Sequence, residues 1–152
     1  YPAVHVNWYQ ANSYCEWIGG RRPTEAEWEK AARGSEGWVY TWGDDDPTCE
    51  LANYSDCGTK AMPVGRHLSG ASFYGALEMA GNVREWVSDN YEENYFRSIP
   101  LTNPQGPNSS RYKVIRGGSW YQGARYLRTS SRQGEDPNYI GNYNGFRCAY
   151  SP

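Results

Sequence analysis

Aliphatic side chains are scarce in this chain. Leu, Ile and Val are few against seven Trp and fourteen Tyr, and the mean hydropathy is −0.88. That shortage speaks against a helical bundle, which needs an apolar stripe along every helix. No apolar run approaches the length of a membrane-spanning helix, so no membrane span is expected in this chain. A signal-peptide core is also lacking, but a removed leader would leave no trace, so compartment stays open. No basic cluster stands out: fifteen Lys and Arg are scattered among seventeen acidic residues, for a formal net charge of −2. A nucleic-acid partner is therefore not expected. Only two histidines occur, His5 and His67, and neither lies near a CxxC pair, so no zinc pattern forms.

What the chain has instead is glycine, proline and aromatic rings. Seventeen Gly and nine Pro imply frequent reversals. The core must be built around indole and phenol rings whose N–H and O–H groups need partners. At 152 residues the chain supports one domain able to bury roughly two-thirds of its unfolded surface. The expected class is a loop-rich α+β domain with two helices, short antiparallel strands and long loops. Four cysteines, at 15, 49, 57 and 148, suggest disulfides and an oxidising compartment or a thermophile's cytosol. Four buried thiols are the alternative. Cys49 and Cys57 flank a short loop and suit a local pair, which would leave Cys15 and Cys148 to tie the start of the chain to its end.

The helices are written locally. Asn7 caps a helix over 8–18 whose inner face carries Trp8, Ala11, Cys15 and Ile18, and Gly19-Gly20 stops it. Thr24-x-x-Glu27 is a capping box opening a second helix, with acids in its first turn, bases in its last and Gly34 at its end. Beyond residue 35, short strands are expected at 38–43, 83–89, before Gly117-Gly118 and in the "GFRCAY" stretch. "MPVG" reads as another brief extended piece, residues 97–112 as a Pro/Asn/Ser loop and Asp44–Asp46 as a solvated turn.

Few residues advertise chemistry. Ser119 has neither His nor Asp at a recognisable spacing and reads as structural. Glu78 and Glu85 flank Gly81, where a backbone turn is expected. Such a loop can supply carboxylates and carbonyls to calcium, or simply carry solvated or capping acids. A paired-carboxylate glycosidase arrangement is a further alternative. Asn53 with Asp56 is a weaker version of the metal idea.

Several long motifs nevertheless carry a resemblance. "VNWYQANSYCEWIGGRRPTEAEWEKAARG", "YGALEMAGNVREWVSD", "VIRGGSW" and "GFRCA" follow the order seen in the formylglycine-generating enzyme (sulfatase-modifying factor) family. The resemblance spans nearly the whole chain, 1–152, and implies a C-type-lectin-like fold; the family's N-terminal segment has no counterpart before the first motif. It implies a disulfide between Cys15 and Cys148. It also implies calcium at Glu78, Gly81, Val83 and Glu85, with Glu78 a departure in ligand length. A second calcium site would begin at Asn53 and Tyr54 with Asp56, on a shortened acidic loop. The family's oxidases use two cysteines just beyond "GGS" to bind copper, and this chain has none between Cys57 and Cys148. Formylglycine generation, and copper with it, is therefore not expected.

One cysteine-free branch is most similar: the variable proteins of diversity-generating retroelements. Their framework would correspond to Gly117, Gly118, Ser119, Trp120, Arg128, Arg132, Pro137, Gly145, Phe146 and Arg147, within a variable region at 116–147. Interleaved are Tyr121, Gly123, Tyr126, Asp136, Asn138, Tyr139, Asn142, Tyr143 and Asn144. Adenine mutagenesis of an Asn codon yields Tyr, Asp, Ser and Gly among others, the set seen here. Tyr with Ser, Gly and Asn is also the chemistry of antibody loops. The resemblance thus implies a non-catalytic protein displaying a diversified surface to a protein or cell-surface molecule, at the cell surface or secreted. A non-variable binding module and an enzyme of different chemistry are the alternatives.

Overall fold

Both helices begin on reciprocal caps, and those caps fix where the chain enters the sheet. In the computed structural model, which describes residues 1–95, 102 and 104–151, α1 spans Trp8–Trp17 and α2 spans Glu25–Arg33. The Asn7 side chain accepts from the Gln10 amide while Gln10 returns a bond to the Asn7 amide. Thr24 and Glu27 do the same at α2, which ends on Gly34 at φ 67°. Ala11 and Cys15 of the expected inner face of α1 are fully buried.

Four strands follow: β1 Arg84–Asn90, β2 Lys113–Arg116, β3 Arg132–Glu135 and β4 Asn144–Phe146. Their order in the sheet is β3-β2-β1-β4. β1 and β2 are antiparallel, as are β2 and β3, but β1 and β4 run parallel, so the sheet is mixed and not wholly antiparallel. Alternation sorts the residues of β1 and β2 onto two covered faces. Val87 and Val114 pack with Trp28 and Ala32 of α2 and with Met79. Trp86 and Ile115 pack with Ala11 and Trp8 of α1 and with Phe146. Polar atoms of the aromatic core find partners: Trp28 Nε1 donates to Glu85, Trp8 Nε1 to the Val87 carbonyl and Trp86 Nε1 to that of Val6.

Two expected strands are revised and one unexpected strand appears. Residues 38–43 form only an isolated bridge between Tyr40 and Gly43. Val39 sends its amide to the Asp44 side chain and its carbonyl to Thr129, so no ladder can run through it. The final strand is shorter and earlier than "GFRCAY", ending at Phe146, with a single bridge from Ala149 to Arg21 beyond it. β3 was not expected at all, because "RQGE" lacks apolar alternation. Part of the expected 97–112 loop lies outside the described residues.

Two disulfides close the molecule, Cys15–Cys148 and Cys49–Cys57, and no cysteine is free. Among the described residues no helix is long and apolar enough to cross a membrane.

Candidate functional site

The chain leaves β2 through two glycines that no other residue could replace cheaply. Gly117 and Gly118 have φ of 90° and 70°, and a Cβ on Gly117 would stand 2.9 Å from the Met79 carbonyl oxygen. The segment that follows is held by backbone bonds from outside it. The Gly81 amide donates to the Gly117 carbonyl, the Trp120 amide to the Asn82 carbonyl and the Ser55 amide to the Gln122 carbonyl. Ser119 is fully buried, with Oγ 3.5 Å from the Gln122 side-chain oxygen, which makes it a turn residue.

Both ends of this segment are anchored on α2. Arg116, at 1 % exposure, donates to the carbonyls of Thr129 and Ser131 and to Glu29 at 2.7 Å. Arg132 forms a two-pronged bond to Glu25 at 2.8 and 2.7 Å. Burial pushes the Arg116 pKa below its ordinary value, while Glu25 and Glu29 oppose that shift.

On this base the structure gathers aromatic rings from two distant stretches. Tyr121 stacks on Tyr143 with centroids 5.9 Å apart and planes 19° from parallel. Tyr139 lies 6.0 Å from Tyr143, and their hydroxyls are hydrogen-bonded. Trp120 meets Tyr121 edge-on at 5.7 Å. Beneath them Arg84 sits 5.0 Å from the Tyr143 ring and is paired with Glu135 at 2.8 Å. The bond to Tyr139, and then burial, push the Tyr143 pKa up to about 12. Tyr121 is 67 % exposed while Tyr139 and Tyr143 are half-buried, so the cluster meets solvent chiefly through Tyr121.

Of the residues expected to be displayed, Tyr121, Tyr139 and Tyr143 thus converge. Asn142 borders them: its side chain is exposed and its carbonyl accepts from Trp120 Nε1. Asn138 is exposed, but Asp136 is spent on a turn, accepting from the Asn138 amide at 2.9 Å. Gly123 and Tyr126 lie on the short turn of helix at Ala124–Leu127, where Arg125 bonds the Tyr126 hydroxyl at 2.7 Å. Asn144 must be removed from the displayed set: it is fully buried and accepts from Arg84 Nε. Its place in β4, two residues before inward-packing Phe146, turns it to the interior. Sequence reasoning missed Arg84, which props the platform, and Ile140, exposed between the two tyrosines.

The expected metal ligands are placed differently. Glu78, Val83 and Glu85 line one cavity of about 400 Å³, together with Arg147. Glu85 is engaged by both arms of Arg147 at 2.6 Å and by Trp28. Glu78 Oε1 accepts from the amides of Gly65, Arg66 and His67, while its Oε2 is buried without a hydrogen bond, 3.5 Å from His67 Nδ1. Gly81, at φ 79°, spends its amide on Gly117. Calcium wants six to eight oxygens, and of the two carboxylates only Glu78 Oε2 is left free, beside the His67 imidazole. Around the second expected site, Asn53 bonds the Lys60 carbonyl and Asn82, Tyr54 packs into the core, and the exposed Asp56 accepts from Ser55. Among the described residues no group of three His, Cys, Asp or Glu is arranged to hold a metal.

Comparison with known proteins places this arrangement. A serine/threonine-protein kinase of Chlamydia trachomatis is 39 % identical over 152 residues, covering 98 % of this chain and 24 % of that protein. The formylglycine-generating enzyme of Streptomyces coelicolor is 36 % identical over 171 residues, covering 98 % of this chain and 52 % of that enzyme. The chain thus spans between a quarter and about half of the length of these curated relatives. Among solved structures, Treponema denticola variable protein 1 is similar with a TM-score of 0.83 at 26 % identity, covering 99 % of this chain and 71 % of that one. The sulfatase-modifying factor enzyme 1-like domain model matches residues 1–152, and the chain belongs to that family.

Proposed function

We propose that this chain is a non-catalytic ligand-binding domain whose contact surface is the tyrosine platform of Tyr121, Tyr139 and Tyr143, diversified as in retroelement variable proteins. The observation that carries the reading is the convergence of those rings, from stretches on either side of β3, onto a backbone anchored from elsewhere. Tyrosine offers rigid amphipathic area at little entropic cost, and the neighbouring Asn138 and Asn142 supply adaptable hydrogen bonds. The platform is a stack of one exposed and two half-buried rings, a shape that suits a macromolecular surface, whereas small-molecule sites are concave. The partner is accordingly a protein or cell-surface molecule, and the two disulfides suit a secreted or surface location. Calcium has no part in this reading. Copper-dependent oxidation has none either, since every cysteine is in a disulfide and none lies between Cys57 and Cys148.

The test is genetic. Downstream of the gene there should be a near-repeat of its 3′ end that differs almost only at adenines, and sequences from many cells should vary at 121, 123, 126, 138, 139, 142 and 143. Asn144 and Gly117 to Trp120 should stay constant in folded protein. Absence of the repeat, with an invariant platform, would sink the diversification while leaving a fixed binding module to be tested. For the platform itself, Tyr121→Ser should leave stability within about 0.5 kcal/mol of the parent in denaturant unfolding, as for other exposed sites. A larger loss would mean that Tyr121 serves the fold and is not available for display.

A further inference from the structure

The Cys49–Cys57 bridge lies beside the displayed segment, and the binding reading makes no use of it. It closes a loop without regular secondary structure, held otherwise by turns such as Leu51 and Ala52 to Thr48 and Cys57 to Tyr54. That loop touches the displayed segment at several points. The Ser55 amide donates to the Gln122 carbonyl at 3.1 Å. Asn53 accepts from the Asn82 amide at 2.7 Å, and Asn82 in turn accepts from the Trp120 amide at 2.9 Å. Tyr54 packs with Leu127, and Cys57 and Ala124 flank the same cluster. Cys49 is exposed, whereas Cys15 of the other bridge is fully buried.

We infer that the Cys49–Cys57 disulfide is a redox-sensitive buttress of the platform: a dithiol reductant opens it, and the backbone from Trp120 to Leu127 loses its support while the fold persists. The consequence for binding rests on the function proposed above; the loss of order does not. In the first step a thiolate of the dithiol attacks Cys49 Sγ, forming a mixed disulfide and releasing Cys57 as thiolate. The reductant's second thiol then closes on its own sulfur, breaking the mixed disulfide and releasing Cys49. Two electrons pass to the protein, the reductant leaves as a disulfide, and its two protons end on Cys49 and Cys57. The other bridge is less open, with Cys15 fully buried and Cys148 half-buried, so Cys15–Cys148 outlasts it and continues to tie α1 to the end of the chain.

The experiment uses the whole chain, dithiothreitol as reductant, iodoacetamide trapping and backbone hydrogen exchange. Cys49 and Cys57 should be alkylated about tenfold sooner than Cys15 and Cys148, following access to the attacked sulfur. Exchange of the Ser55, Gln122 and Tyr126 amides should then rise by about tenfold, with the far-ultraviolet circular dichroism unchanged. The double variant Cys49→Ser/Cys57→Ser should show the same exchange without reductant; should it not fold, reduction of the parent decides alone. Equal labelling of the two bridges overturns the inference. So does unchanged exchange at Gln122 and Tyr126 once Cys49–Cys57 is open. Because the readout is amide protection, a platform without a ligand would leave this result standing, and the two ideas fail separately.

Discussion

The α2-facing side of the sheet and the tyrosine platform lie at opposite ends of one design. On the first, Arg116, Glu25, Glu29 and Arg132 are tied into a largely buried charge network over Trp28. On the second, Tyr121, Tyr139 and Tyr143 stack and hydrogen-bond with one another, and the backbone of Tyr143 and of Tyr121's neighbours takes bonds from Arg84, Asn82 and Ser55. The contrast is what the proposed function requires: the scaffold rests on fixed charge and packed rings, so that changes at the platform tyrosines would cost the fold little. The disulfides repeat the contrast: one joins residues 133 apart and secures the scaffold, the other spans only 8 and supports the display side.

The comparison predicts unequal losses. Replacing both Cys15 and Cys148 by Ser should cost the most, about 5 kcal/mol from loop-closure entropy, against about 2.5 kcal/mol for the Cys49–Cys57 pair. Guanidinium unfolding of the two double variants measures both, and equal losses would break the distinction between scaffold and display bridge. Next comes Arg116→Ala, which takes their donor from the Thr129 and Ser131 carbonyls and leaves the part-exposed Glu29 with Arg33 alone. Removing one partner of such a buried network costs about 4 kcal/mol, and the same unfolding experiment reads it. A loss under about 1 kcal/mol, the size expected of an exposed pair, would show that the network does not carry the scaffold.

The sequence made one half of this contrast legible. Capping at Asn7 and Thr24 is a matter of residues three apart, so both helices and their starts could be read directly. The Cys15–Cys148 bond was readable only through the family resemblance, since spacing alone allowed other pairings. β3 could not be read: "RQGE" owes its extended form to pairing with β2 and to the Tyr91 ring lying over Gly134. Nor could the parallel pairing of β4 with β1, which is non-local. Residue type picked out Tyr121, Tyr139 and Tyr143, which the fold brings together, yet it also picked Asn144, which the fold buries. Composition tells which codons mutate readily; only the strand's alternation tells which side chains face outward. Nor could the sequence show that Arg147, far along the chain, engages the Glu85 carboxylate.

The smallest expected effect lies within the platform itself. Hydrogen bonding to Tyr139, ahead of burial, raises Tyr143 to about 12, whereas an unfolded tyrosine titrates near 10. The native state therefore holds its proton more tightly, and the associated stability is complete below pH 10 and lost as pH rises toward 12. At neutral pH the bond leaves no slope in stability, and the ring's partial exposure keeps the alkaline effect modest. Ultraviolet titration of the parent should show late phenol ionisation, to which Tyr54, also raised by burial, contributes, and Tyr143→Phe should remove its latest part. Tyr139→Phe separates the causes: without the partner hydroxyl, Tyr143 should fall back toward its ordinary value. If it still ionises near pH 12, burial holds the proton, and the two rings are neighbours in a packed wall and not a hydrogen-bonded pair.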